Sequence, residues 1–171
     1  MLRNKMCIIV SILLSSLFCV FLIIFRIEKK YYNSLYLLHN NELFGFLNIP
    51  SLNIKTNIYN KNSTKNNVNL NVELIYNKDI KYIVLAAHSG NSPIAYFKNL
   101  YKLNSDSFIE LDIKNRKYIY EFFEKREVPK IGKIKLKEYN YPILVLITCS
   151  KHNKDVQEVY YSRLIKSYNL Y

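Results

Sequence analysis

"YPILVLITC", residues 141–149, is an apolar run that stops on a thiol, and "SKHNKD", residues 150–155, follows it with turn-forming and charged residues only. The unbroken aliphatic stretch Ile143 to Ile147 is too short for a helix, shows no alternation, and reads as a strand buried on both faces. Working outward, "KYIYEFF" (117–123) and "EVYYSRLI" (158–165) flank it with the β-branched and aromatic residues that suit a pleated surface. Towards the N-terminus come "LFGFLNI" (43–49), "LNIKTNIY" (52–59), "LNVELIY" (70–76), "KYIVLAA" (81–87) and "SFIELDI" (107–113). Eight strand candidates separated by Asn-, Lys- and Ser-rich turns predict a mostly β domain closed, or nearly closed, into a barrel. With only 3 Gly in the chain, Asn takes over at turns, since it tolerates left-handed backbone better than most residues.

One stretch breaks the strand pattern. "NSPIAYFKNLYKL" (91–103) offers Ser92 as an N-cap and Pro93 at the first helical position, with Ile94, Phe97 and Tyr101 spaced to share a face, and predicts a short helix packed on the barrel. The N-terminus differs again. Residues 7–25, "CIIVSILLSSLFCVFLIIF", carry no charge and at about 1.5 Å per residue are long enough to cross most of a bilayer's hydrocarbon core. The run leads into "RIEKKYY" with no small-residue cleavage site, so an uncleaved transmembrane anchor is expected rather than a signal peptide. The organisation expected is a short N-terminus (1–6), the anchor (7–25), a polar, Tyr-rich stalk (26–42) and one domain (43–171). Basic residues lie on both sides of the anchor, so charge alone leaves its orientation open.

The formal net charge of +12 comes from lysines spread along the chain rather than a block, which fits a solvated surface or attraction to anionic lipid or an acidic wall polymer. No nucleic-acid motif accompanies the charge, and no nucleic-acid partner is expected.

Cys7 and Cys19 fall inside the anchor, which leaves Cys149 alone in the domain. An unpaired thiol there is either a core residue or a nucleophile, and its place at a strand end, against a loop, makes it reachable. A nucleophilic thiol needs a base or an imidazolium nearby, because only the thiolate attacks. His39 lies in the stalk. His152 forms a C-x-x-H pair with Cys149, but the domain has no further cysteine to complete a common thiolate zinc set, so no metal or other cofactor is expected. His88 closes the strand "YIVLAAH" and opens "SGNSP", and two strand ends carrying His and Cys can converge on one rim.

"YIVLAAHSGNSPIAYFKNLYKL" (82–103) together with "LVLITCSK" (144–151) resembles the sortases, membrane-anchored cysteine transpeptidases of Gram-positive cell surfaces. The likeness covers roughly residues 43 to 166 and rests on an Ala-His-Ser-Gly strand end, a Phe-x-Asn-Leu segment and an Ile-Thr-Cys strand end in that order. It implies an eight-stranded sortase-type β-barrel. Cys149 would attack a backbone carbonyl of a Leu-Pro-x-Thr-Gly-like sorting signal and form a thioester. An amine of the peptidoglycan would resolve it, with His88 as general acid and base. The partners implied are surface proteins bearing a C-terminal sorting signal. The localisation implied is the cell membrane, single-pass through residues 7–25, N-terminus inside and catalytic domain outside. Ser89, Thr148 and the residues from Ala95 to Phe97 are further candidates for hydrogen bonds or groove lining.

Sortases usually add an arginine at the start of the last strand, and this chain departs from that pattern. The only arginine after Cys149 is Arg163, at 163 − 149 = 14. Aligning "QEVYYSRLI" to the shorter-loop, class B-like spacing puts Gln157 in the arginine's place, at 157 − 149 = 8. The two share a strand face but stand about 20 Å apart, so only one can reach Cys149. Gln157 is the preferred candidate and Arg163 the competing one. Two alternatives to a transpeptidase are a surface cysteine peptidase and a catalytically degenerate, membrane-tethered peptide-binding domain.

Overall fold

A computed structural model describes residues 14–28, 42–131 and 133–170, and the chain divides into two compact units near residue 40. In the first unit, residues 14–28 are helical with exposed side chains. The expected span over 7–25 runs back into residues 1–13, outside the described residues, and most of the stalk lies outside them too. No helix among the described residues is long and apolar enough to cross a membrane.

The second unit is one eight-stranded sheet. Its strands are β1 (Leu43–Ile49), β2 (Ile54–Tyr59), β3 (Glu73–Lys78), β4 (Tyr82–Ala86), β5 (Phe108–Ile113), β6 (Arg116–Pro129), β7 (Ile143–Cys149) and β8 (Val156–Asn169). The spatial order is β2-β1-β5-β6-β8-β7-β4-β3. A parallel bridge between Ile58 and Val72 brings the two edges together, so the sheet curls into a nearly closed barrel. All neighbours in this order are antiparallel except β4 and β7, which run parallel.

All eight sequence-derived strands are present. Their ends differ in instructive ways. β2 starts at Ile54 because Pro50–Leu52 form a 3-10 turn that Asn53 closes in the left-handed region, at φ 53°. β5 and β6 are joined by Lys114 and Asn115, both at positive φ, a two-residue turn whose twist matches that of the strands. Gly45 sits at a bulge in β1, where a Cβ would come within 2.6 Å of the Asp112 carbonyl oxygen. β6 and β8 extend far beyond the runs that signalled them. Their polar residues pair across the strands, as Arg163 does with Glu121 and Lys125 with Glu158, so the ladder continues without a continuous apolar stripe.

The helix expected after Pro93 is replaced by a chain of turns ending in a 3-10 turn, Leu100–Lys102. The Phe97 N–H donates to the carbonyl of His88, 3.0 Å away, instead of to a helical partner, and the Phe97 ring is fully buried in the barrel. Anchoring this segment to the end of β4 outweighs its helical signals. Ala95 is buried as well, so this part of the segment packs rather than lining a groove.

Two apolar clusters lie on opposite faces of the sheet. The interior cluster contains Ile83, Leu85 and Ala87 of β4 and its extension, Leu144 and Leu146 of β7, and Tyr160 of β8. The outer cluster contains Val84, Ile143, Val145, Ile147, Val159 and Tyr161, covered by Ile134, Leu136 and Tyr139. β7 is thus buried on both sides, which is why its sequence shows no alternation.

Candidate functional site at the end of β4, β7 and β8

The parallel ladder between β4 and β7 runs in register from Tyr82 opposite Ile143 to Ala86 opposite Ile147. It continues one step further: the Ala87 N–H donates to the Ile147 carbonyl at 3.2 Å, and the Thr148 hydroxyl donates to the Ala87 carbonyl at 2.8 Å. Carried two residues past the end of β4, the same register points His88 towards the level of Cys149. On the other side of β7, Cys149 is directly opposite Gln157 of β8. Cys149 and Gln157 therefore share a rung of β7 and β8, and His88 lies in the continuation of β4 on the other side of β7.

The alternation of side chains puts all three on the same face. Val84, Ile147 and Val159 belong to the outer cluster, and His88, Cys149 and Gln157 continue their respective rows by two or four residues. Thr148 points the other way. It is buried, and its hydroxyl is spent joining β7 to β4 rather than facing the rung. Ser89 is buried too.

Cys149 is half-buried and makes no disulfide. His88 is also half-buried, and its Nε2 lies 3.2 Å from Oδ1 of Asn69. An amide oxygen only accepts, so in this bond Nε2 is the donor and Nδ1 is the ring nitrogen that Asn69 leaves unengaged. Asn69 comes from the loop between β2 and β3 and was not among the sequence candidates. Nothing local marks it in "NNVNLN", where any of four asparagines could turn towards the barrel.

Behind the rung, on the interior face, Glu158 is a buried carboxylate. It accepts hydrogen bonds from the Tyr160 hydroxyl at 2.5 Å and from Lys125 Nζ at 2.9 Å. Burial pushes the Glu158 carboxyl up, but Tyr160, Lys125 and the Ser150 hydroxyl more than offset it and hold it below the usual carboxylate range. Burial, and then the same carboxylate, pushes the Tyr160 phenol well above its ordinary value. Glu158 faces Thr148 across the ladder, so this network pins the last residues of β7 from behind.

Two loops shape the approach to the rung. The turn from Ser150 to Asp155 is closed by the Ser150 N–H donating to Val156 O, and Lys151 Nζ rests 4.6 Å from the centre of the Tyr101 ring. His152 lies exposed in this turn, where its N–H donates to Ser150 Oγ. The connection from β6 to β7 lies across the outer cluster. Tyr139 packs on Phe123 and Tyr161, Lys137 Nζ pairs with Glu124 at 2.7 Å, and the Tyr82 hydroxyl donates to the Lys137 carbonyl. It seals the face beside Ile143, Val145 and Ile147 while Cys149, one residue pair beyond, stays partly open.

Arg163 is elsewhere. It pairs with Ile143 at the start of β7, six residues and about 20 Å along the strand from Cys149. Its guanidinium donates through both Nε and an Nη to Glu121 Oε2, at 2.9 and 2.6 Å.

A thiol, an imidazole and a carboxamide are chemically able to serve as nucleophile, acid–base group and hydrogen-bond donor in acyl transfer. A family model described as the sortase domain matches residues 47–167. Among solved structures, sortase A of Listeria monocytogenes superposes with a TM-score of 0.64 at 18% identity, over 76% of this chain and 92% of its own. Clostridium perfringens sortase C, solved with the C-terminal cell wall sorting motif, gives 0.60 at 21% identity, over 74% and 72%. Sortase E1 of Streptomyces coelicolor, with a tripeptide in the active site, gives 0.58 at 17% identity, over 75% and 91%. No curated protein sequence matches.

Proposed function

The chain belongs to the sortase family of cysteine transpeptidases, and on that premise we propose that it cleaves a Leu-Pro-x-Thr-Gly-like sorting signal through a Cys149 thioester and passes the acyl group to a peptidoglycan amine. What supports this reading is the pairing of Cys149 with Gln157 across β7 and β8, with His88 two residues past the end of the β4 ladder that flanks β7.

In the first half-reaction the Cys149 thiol passes its proton to His88 Nδ1 and the resulting thiolate attacks the scissile carbonyl, forming a C–S bond while the carbonyl oxygen takes up the displaced electron pair. The Gln157 amide, opposite Cys149, donates a hydrogen bond to that oxygen. The intermediate collapses by breaking the C–N bond, and His88 hands a proton to the departing amine. In the second half, the acceptor amine attacks the thioester, His88 removes its proton, and the C–S bond breaks to return the thiolate. Asn69 would hold the imidazole ring through this exchange, since it engages Nε2 and leaves Nδ1 for the proton in transit. Gln157, and not Arg163, takes the oxyanion role in this scheme, because Arg163 is about 20 Å along the strand from Cys149 and engaged by Glu121.

The same reading assigns residues 7–25 to a membrane anchor with the N-terminus inside and the domain outside, where secreted substrates and wall amines meet. A mass-spectrometric screen of the full chain against Leu-Pro-x-Thr-Gly-like peptides tests the chemistry. A covalent adduct of acyl mass on the Cys149 peptide, absent from Cys149→Ala, supports it. Peptide binding without an adduct would instead favour a degenerate peptide-binding domain. Rapid release of free acid that added amine does not divert would favour a cysteine peptidase.

A further inference from the structure

A set of thiol, imidazole and carboxamide carries no fixed positive charge, although a pre-positioned charge or dipole aimed at the oxyanion is usually the largest single contribution to acyl transfer. Among the cations carried by the strands themselves, the one next to the rung follows from the register. β6 pairs with β8 so that Val128 is opposite Gln157 and Arg126 opposite Val159. Val128 and Val159 both contribute to the outer cluster, so Arg126 projects from the face that bears Cys149 and Gln157. Relative to Gln157, Arg126 is the diagonal cross-strand neighbour, at about 7–8 Å between backbones and within reach of a long side chain.

The other basic residues of this region are placed less well. Lys125 points to the interior and pairs with Glu158, and Lys137 is taken by Glu124. Arg163 of β8 and Arg116 of β6 lie farther from the rung along their strands, opposite Ile143 and Asn169 respectively. Lys130 lies past the end of β6 and is exposed. Arg126 is partly buried, and its ionic contact is loose: Nε stands 3.9 Å from Glu124 Oε1, while the same carboxylate already accepts from Lys137 at 2.7 Å and from the Tyr139 hydroxyl at 2.8 Å. With Glu124 satisfied by two closer donors, the guanidinium is free to turn along the face towards Gln157.

We propose that Arg126 of β6 is the positioning residue for Gln157, donating to its amide oxygen so that the amide NH2 is turned to the substrate oxyanion and a positive charge stands behind it. The work of a single arginine is thereby divided between a carboxamide on β8 and a guanidinium on β6. This rests on the acyl-transfer reading above.

The test has a substrate-free arm and a substrate arm. In the first, the rate of Cys149 alkylation by iodoacetamide is followed against pH on the full chain, read on the Cys149 peptide by mass spectrometry. A guanidinium close to the thiolate favours it, so Arg126→Gln should move the midpoint up by about half a unit or more, with Arg126→Lys between and Lys130→Gln unchanged. An unmoved midpoint in Arg126→Gln, or a shift in Lys130→Gln alone, overturns the assignment. In the second arm, with a peptide that acylates the wild type, Arg126→Gln should slow thioester formation about 10- to 100-fold. The Arg126→Gln/Gln157→Ala double variant should be no slower than Gln157→Ala alone, and adding Gln157→Arg to Arg126→Gln should recover most of the rate. Additive losses or no recovery would overturn the coupling while leaving acyl transfer in place. Absence of any thioester in the wild type would overturn the functional reading and this inference with it.

Discussion

The two ends of the β7–β8 pair are built from the same two strands and put to different uses. At the start of β7, Ile143 faces Arg163, and the arginine spends its donors on Glu121 in the open. At the other end, Cys149 faces Gln157, a buried carboxylate braces the strands from behind, and His88 arrives alongside from β4. The end with an arginine is a surface ion pair, and the end with a glutamine is where the proposed acyl-transfer groups lie. Residue type alone would have assigned them the other way round. What decides is the rung on which a side chain stands.

Substitutions at the two ends sharpen that contrast. His88→Ala removes the proposed acid–base group and should lower the rate of acyl transfer about 10³-fold while leaving the melting temperature nearly unchanged, as followed by thioester formation and by thermal unfolding. Glu158→Gln removes charge from a buried network and should cost about 2 kcal/mol of stability. Because the folded carboxyl is held below its usual range, its contribution is complete above the unfolded value near 4.3 and is lost as pH falls through the folded one. The gap in melting temperature between wild type and Glu158→Gln should therefore be widest at neutral pH and narrow on acidification below about pH 4. Asn69→Ala frees the His88 ring and should slow transfer about 10-fold, a loss that Asn69→Asp partly restores. Arg163→Gln should be the mildest change, under about 1 kcal/mol and within about threefold of the wild-type rate. A large loss of rate in Arg163→Gln with a silent Gln157→Ala would collapse the contrast.

Much of this fold is written in local pattern. Each strand announces itself through apolar runs, and the doubly buried β7 through its lack of alternation. The left-handed turns at Asn53 and Asn115 follow from asparagine standing where glycine is scarce. The strand-end positions of His88 and Cys149 are legible for the same reason, since each closes an apolar run. What escapes depends on partners distant in sequence. The extension of β6 and β8 is held by ion pairs between strands. The segment after Pro93 has helical signals but is captured when the Phe97 N–H finds the His88 carbonyl. Asn69 reaches His88 from 19 residues away, and no local feature separates it from its neighbouring asparagines.

The most direct test of the central claim is mass spectrometry of the full chain, wild type and Cys149→Ala, incubated with Leu-Pro-x-Thr-Gly-like peptides and an amine acceptor. An acyl adduct confined to Cys149, absent from Cys149→Ala and discharged as an amide when the amine is added, is the expected result. An adduct that persists in Cys149→Ala, or a wild type that binds peptide and never acylates, would contradict it.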